Sequence, residues 1–191
     1  MVNIKYGFLQ YSVMVRYPLI LPDSKILELL KDSKNTLIAG CMSCANMSSA
    51  HHRSVPIYDV VTEEGTGKKS LMPNAIIGEA ERMKRLLEGK KIRADVEFND
   101  GWCMWTSDKE VASLMGNPAW SDQGFTDRVV LYDSVLVLAC PDGVNGMIAR
   151  TGEKVKVYAG MFDAGSLQLV MAFDEKGEHV VVDSKKSHLI A

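Results

Sequence analysis

The sequence predicts an α/β fold: a mostly parallel, open sheet with flanking helices. Short, almost continuous apolar runs at residues 36–40 and 134–139 are typical of parallel strands that are buried on both faces. The segment 73–88 between them repeats its apolar positions with helical spacing. Strands that alternate with helices along a chain form parallel sheets through right-handed crossovers. These observations predict the body of the molecule.

Two segments outside this body have a different pattern. Residues 4–21 carry Tyr, Val, Phe and Ile in loose alternation, interrupted by proline, which favours an extended arm at a sheet edge or on a partner subunit. Residues 167–173 and 179–182 flank a polar turn and predict a C-terminal β-hairpin. We therefore divide the chain into an extended arm (1–22), a cysteine-containing α/β domain (23–160) and a C-terminal β-hairpin appendage (161–191).

The other elements follow from caps and from apolar spacing. Asp23 and Ser24 prefer N-cap positions and predict a short helix over residues 25–32. The helix 73–88 has a proline suited to its first turn and Gly89 suited to its C-terminal cap. The remaining predicted elements are strands at 55–61, 92–98 and 155–158, helices at 107–115 and 144–150, and a loop at 116–127.

Composition and charge exclude several classes of partner. The 22 basic and 24 acidic residues give a formal net charge of −2, and no basic patch stands out, so we expect no nucleic-acid binding. No run approaches the roughly 18 apolar residues of a membrane span. The N-terminal segment lacks the small-residue cleavage site of a secretory signal peptide, so we expect no signal peptide. Four cysteines without a secretory signal are expected to stay reduced in the cytosol, which predicts a soluble, cytoplasmic protein.

The most informative feature is that a cysteine follows three of the predicted strands. Cys41 and Cys44 form a Cys-x-x-Cys pair after the first strand, and Cys103 and Cys140 follow two later ones. Loops after the carboxyl ends of parallel strands lie at the same edge of a sheet, where ligands gather. Four thiolates suit tetrahedral zinc or a four-iron cluster. The sequence therefore predicts one metal or iron–sulfur site on all four cysteines.

Other interpretations of the cysteines stay open. Cys41 and Cys44 alone form a CxxC dithiol, since a cysteine at a helix N-terminus has a lowered pKa and is reactive. Four buried structural thiols are a third reading. His51 and His52 follow the pair closely and are alternative ligands, although adjacent histidines do not easily aim both rings at one metal.

Three further residues are candidates for binding a cofactor. Trp102 and Trp105 lie beside Cys103 in sequence, where they either pack in the core or form a platform for a flat ligand such as flavin or pterin. Gly143 either provides a sharp turn into a helix or opens a helix N-terminus, and helix N-termini bind anionic groups.

The runs KNTLIAGCMSC (34–44) and VLVLACPDGV (135–144) resemble the methylenetetrahydrofolate reductase C-terminal domain family. The resemblance covers about residues 24–150. The family pattern has a further cysteine soon after the CxxC, where this chain has Ser48 and a His-His-Arg stretch.

The resemblance implies an iron–sulfur carrier that delivers electrons to a flavin-containing redox enzyme of one-carbon metabolism. It assigns the 4Fe-4S cluster, or a zinc ion, to Cys41, Cys44, Cys103 and Cys140. Whether the chain is itself an enzyme stays open, because the sequence shows no flavin or folate site. A zinc-stabilised binding module and a CxxC thiol oxidoreductase are the alternative functions. The extended arm and the hairpin make a homodimer plausible.

Overall fold

A computed structural model describes residues 10–55, 58–62, 69–99, 102–104, 123–173, 179–183 and 189–190. In chain order its elements are β1 (Gln10–Ile20), α1 (Asp23–Leu29), β2 (Asn35–Cys41), α2 (Cys44–Arg53), β3 (Tyr58–Thr62), β4 (Lys69–Pro73), α3 (Asn74–Glu88), β5 (Arg93–Asn99), a 3₁₀ turn (Trp102–Met104), α4 (Gln123–Val129), β6 (Ser134–Leu138), α5 (Pro141–Thr151), β7 (Lys156–Ala159), β8 (Met161–Phe173), β9 (His179–Asp183) and β10 (Leu189–Ile190).

The central sheet has the strand order β5-β2-β6-β7, and every neighbouring pair is parallel. All of β6, and all of β2 except its first residue, is buried, as expected for apolar strands with neighbours on both sides. The buried hydroxyls of Thr36 and Ser134 lie 2.9 Å apart and satisfy each other across the two strands. The predicted α/β fold class is confirmed.

Helices cover this sheet through their apolar faces. The helix α3 packs on β2 and β5, and its buried positions Ile76, Ala80, Met83 and Leu87 recur with helical spacing. The helix α3 also contacts α2, and α5 packs on β7 and on the 3₁₀ turn. Within the described ranges, no helix combines the length and apolar character needed to cross a membrane.

A second sheet is antiparallel and is built around the long strand β8. The strand β1 pairs along one edge of β8, from Gln10 opposite Ala172 to Ile20 opposite Met161. The other edge of β8 pairs with β9 and β10. The predicted arm and the predicted C-terminal hairpin therefore belong to a single sheet. This pairing joins residues far apart in sequence, so no local pattern indicates it.

Three secondary-structure predictions need correction. Residues 69–73 form β4, antiparallel to β3, so Pro73 ends a strand and the helix begins at Asn74. Residues 123–127 were predicted as loop but lie in α4, because Phe125 and Val129 are buried one helical turn apart. The short α1 begins at Asp23 and ends at Leu29, two residues earlier and three residues earlier than predicted. The predicted helix 107–115 lies outside the described residues.

The end of α3 also differs from the prediction that Gly89 caps it. The left-handed residue is Lys91, with a φ of 64°. Its N–H donates to the carbonyl of Glu88, and the N–H of Ile92 donates to the carbonyl of Leu87. This pair of bonds is the Schellman arrangement, and the buried side chains of Leu87 and Ile92 close it with an apolar contact.

Candidate functional site

The structure places all four cysteines at one edge of the parallel sheet. Cys41 is the last residue of β2, and Cys44 is the first residue of α2 after a two-residue turn. Cys103 lies in the 3₁₀ turn that follows β5, and Cys140 lies between β6 and α5. Because β5, β2 and β6 are parallel neighbours, their carboxyl ends coincide, which brings the cysteines together.

Cys44 and Cys140 are in direct contact. The thiol of Cys44 donates a hydrogen bond to the sulfur of Cys140, and this bond is the main reason why the pKa of Cys140 is lowered to about 6. Burial opposes the shift, but the backbone N–H groups of Gly143 and Asp142 also donate to the Cys140 sulfur. Cys140 therefore favours the thiolate form, held at the N-terminus of α5.

The same contact has the opposite effect on Cys44. Its hydrogen bond to Cys140 raises the pKa of Cys44, because losing the proton would break that bond, and burial raises it further. The backbone N–H of Arg16, in β1, donates to the Cys44 sulfur and reduces the shift in part. The pair thus consists of one thiol, Cys44, and one thiolate, Cys140.

Cys41 and Cys103 flank this pair. Negative charge on Cys41 raises the pKa of both Cys44 and Cys103, so Cys41 lies near both of them. Cys103 as a residue is exposed, but the atoms around its sulfur partly exclude water, and this desolvation is the main reason why its pKa is raised to about 11. The charge on Cys140 adds to that increase. Each of the four sulfurs therefore has at least two of the others as neighbours.

The clustering stops short of a formed metal site. Across the residues that the structure describes, no three His, Cys, Asp or Glu side chains are arranged so that they could hold a metal ion. The four cysteines are close enough to affect one another electrostatically, and two of them touch. The formed unit is the Cys44–Cys140 pair, with Cys41 and Cys103 beside it.

Two glycines allow the helix α5 to pack closely against its neighbours, including the 3₁₀ turn. A Cβ atom on Gly146 would overlap the backbone carbonyl oxygen of Trp102, and a Cβ atom on Gly143 would lie only 2.7 Å from that of Ala139. Only glycine allows the backbones to approach so closely. The close approach brings Cys103 next to the first turn of α5, which Cys140 immediately precedes. Gly143 therefore contributes through close packing and through its N–H group.

The tryptophans have a different relation to the site. Trp102 is 1% exposed and lies in the main core, where its ring packs against Phe125 with centroids 5.2 Å apart. The structure thus places Trp102 in the core, and a contact with a cofactor stays a prediction. Trp105 lies outside the described residues. Of the two histidines after the CxxC, His51 meets the ring of Tyr17 edge-on at 5.6 Å, and His52 is exposed.

Sequence reasoning missed Arg16. Besides its N–H bond to Cys44, its guanidinium lies 3.6 Å from Asp142 in α5 and 3.5 Å from Asp163 in β8. These are exposed pairs and add little stability. These ion pairs instead fix the position of β1 relative to α5 and β8, next to the cysteine site. No local signal identifies Arg16, because its position depends on the pairing of β1 with β8.

Comparisons of the chain with protein-family models, with curated proteins and with solved structures gave no match.

Proposed function

We propose that this protein binds one metal centre, a 4Fe-4S cluster or a zinc ion, on Cys41, Cys44, Cys103 and Cys140. The observation that supports the proposal is the clustering of all four thiols at one sheet edge, with Cys44 and Cys140 already in contact. Four cysteines are the ligand set that both centres use. A cluster would serve electron transfer, and a zinc ion would serve a structural or binding role.

The residues fit this ligand set chemically. Thiolates are the ligand form, and Cys140 reaches it easily because α5 and Cys44 donate to its sulfur. The metal would displace the proton of Cys44, which would pass to the solvent, so binding would release protons. Since no three side chains are yet arranged for a metal, Cys41 and Cys103 would turn toward the Cys44–Cys140 pair on binding. Cys103, the exposed member, would place the centre near the protein surface.

For a cluster, the proposed partner is a flavin-containing redox enzyme of one-carbon metabolism. The resemblance of the two cysteine-containing runs is what suggests this partner. The exposed Cys103 gives a surface through which an electron would pass between the two proteins. We propose an accessory, electron-transfer role.

The test is metal analysis with an absorbance spectrum on full-length protein purified without oxygen. We expect either about four irons with matching sulfide and a brown colour, or one zinc and no colour. Cys140→Ser and Cys103→Ser should each lose most of the metal. Ser43→Ala is the matched control, because it changes the turn between Cys41 and Cys44 without removing a thiol, and Ser43 makes no capping bond.

Two results would contradict the proposal. One is protein without metal after purification and after anaerobic reconstitution with zinc or with iron and sulfide. The other is metal content unchanged in all single cysteine variants. Retention of metal in Cys103→Ser alone would reduce the ligand set to three cysteines and overturn the four-cysteine centre.

A second candidate function is thiol–disulfide exchange, and the Cys44–Cys140 contact favours it. The thiolate of Cys140 would attack one sulfur of a substrate disulfide, and the other substrate sulfur would leave as a thiolate. Cys44, after giving up its proton, would attack the mixed disulfide, so that a Cys44–Cys140 disulfide forms and the substrate is released with two reduced sulfurs. The substrate disulfide is the oxidant.

This candidate makes a distinct prediction. Metal-free protein treated with a small disulfide, oxidised glutathione, should yield a Cys44–Cys140 cross-link in peptide mapping. Cys103→Ser should keep the exchange rate, whereas the metal proposal predicts that this variant loses its metal. A disulfide between Cys41 and Cys44 instead would contradict the assignment and support the CxxC interpretation.

A further inference from the structure

A cleft of about 520 Å³ lies away from the cysteines, at the other end of α2. One wall is apolar and comes from the end of β1 and from β8; it includes Pro18, Leu21 and Phe162. The polar part of the lining comes from the first residue of α1, from α2 and from α3. The volume is within the range of about 300–1,000 Å³ that is usual for small-molecule sites. Along α2, the eight helical steps from Cys44 to His52 separate these two residues by about 12 Å.

Both acidic side chains of the cleft are paired with arginine. Both carboxylate oxygens of Asp23 accept bonds from Arg82, at 2.8 and 2.9 Å. One oxygen of Glu79 accepts from Arg82 and the other from Arg53, both at 2.9 Å. Glu79 is only 7% exposed, so this carboxylate is fixed between two guanidinium groups. Among the described residues, both carboxylates of the cleft are therefore paired with guanidinium groups, which leaves no unpaired negative charge there to attract a cation.

The cleft also contains hydrogen-bond donors that have no partner among the described residues. Arg53 donates through one nitrogen to Glu79, and within the described ranges its other N–H groups have no partner, while its side chain is 46% exposed. His52 lies next to it at the cleft. Ser49 also lines the cleft, and its buried hydroxyl, which can donate or accept, has no hydrogen-bond partner among the described residues. The exposed N–H groups of Arg53 therefore favour a ligand that brings acceptors.

We propose that this cleft binds a small organic anion with an apolar body. Its carboxylate, sulfonate or phosphate group would bind Arg53 and His52, because charge-assisted bonds to guanidinium are the strongest that the cleft offers. Its apolar part would lie against Pro18, Leu21 and Phe162. The site is separate from the cysteines and does not depend on the metal proposal.

The experiment uses a pair of fluorescent probes that differ only in charge. 8-Anilinonaphthalene-1-sulfonate carries an anionic group on an aromatic body, and N-phenyl-1-naphthylamine is the same body without it. We expect the sulfonate to bind full-length protein in a saturable way and more tightly than the neutral probe. Arg53→Gln should weaken sulfonate binding about ten-fold and leave binding of the neutral probe unchanged.

Arg93→Gln is the matched control. It removes an exposed guanidinium from β5, outside the cleft, and should leave both affinities unchanged. Arg53→Gln should still fold, since Glu79 keeps its bond to Arg82. A competition on unmodified protein needs no variant: hexanoate should displace the sulfonate, and hexylamine should not. Equal binding of the two probes, displacement by both competitors, or an unchanged affinity in Arg53→Gln would overturn the proposal.

Discussion

At the scale of single residues, Cys140 shows how a backbone position controls side-chain chemistry. It precedes Pro141, the first residue of α5, so the free N–H groups of the first helical turn point toward its sulfur. Proline suits this position because its missing N–H would be unpaired there in any case. Two of these N–H groups, together with Cys44, stabilise the thiolate. At Cys103, by contrast, desolvation of the sulfur and the nearby charge on Cys140 raise the pKa, so this thiol keeps its proton to much higher pH.

This difference gives a pH prediction for reduced, metal-free protein. Because the pKa of Cys140 is lowered to about 6, it should be protonated below that pH and a thiolate above it. Thiolate ultraviolet absorbance should therefore rise in a first step near pH 6, well below the step of Cys103 near pH 11. Cys140→Ser should remove the first step, and Cys103→Ser should leave it in place. A first step that survives in Cys140→Ser would assign it to another cysteine.

At the scale of elements, the packing of α5 against the 3₁₀ turn positions Cys103 relative to Cys140. The strand β5 and the helix α5 come from distant parts of the chain, and they bring Cys103 and Cys140 together only because Gly146 has no side chain. On the opposite side, β1 crosses the site and donates the Arg16 N–H to Cys44. The site therefore depends on how elements pack as much as on the cysteines themselves.

Two equivalent substitutions in helices should have opposite effects. Gly146→Ala should lower the free energy of unfolding by about 1–3 kcal/mol, because the new Cβ overlaps the Trp102 carbonyl and α5 must shift. Gly78→Ala, in α3, should raise it by about 0.5–1 kcal/mol, because alanine is the better helix former and the nearest atom, Nη1 of Arg53, lies 3.7 Å away.

Urea denaturation followed by circular dichroism measures both changes. Stabilisation by Gly146→Ala would show that the close approach of α5 to the turn is absent in solution. Destabilisation by Gly78→Ala would show that the surroundings of Gly78 are packed too closely to accept a methyl group.

At the scale of the whole molecule, the parallel sheet and the antiparallel sheet around β8 differ in their positions relative to the core. The parallel sheet is central: β2 pairs with a strand on each side, and its last six residues are buried. The antiparallel sheet is peripheral, and β1 pairs within the described ranges on one edge only. A small apolar cluster of Val15 and Tyr17, with Cys44 and Met47 of α2 beside it, joins the sheets.

Hydrogen exchange of backbone amides should therefore separate the two sheets. The amides of Ile38 and Leu136, in the centre of the parallel sheet, should exchange only through global unfolding, since both residues are fully buried. The β1 amides that pair with β8 should exchange faster, through local opening of the antiparallel sheet. Exchange read by nuclear magnetic resonance at several urea concentrations measures this. Equal protection in β1 and β2 would show that both sheets unfold together.

Much of the fold could be predicted from local patterns. The strands β2 and β6 and the helix α3 were recognised because apolar spacing within one element directly reflects which side is buried. The strand β4 and the helix α4 were missed, since their short sequences carry polar or proline residues that favour turns in isolation. Their structure is stabilised by partners elsewhere: β3 for β4, and the core around Phe125 for α4.

The sequence by itself determined the fold class and the common edge at which the four cysteines lie, because loops that follow parallel strands lie at the same edge of a sheet. Only the tertiary structure decided that Cys44 touches Cys140 and that Arg16 reaches the site from β1. It also decided that Arg53 borders a cleft and uses only one of its nitrogens to bind Glu79. These contacts join residues distant in the chain. They depend on side-chain packing between elements, which the pattern within any one element does not contain.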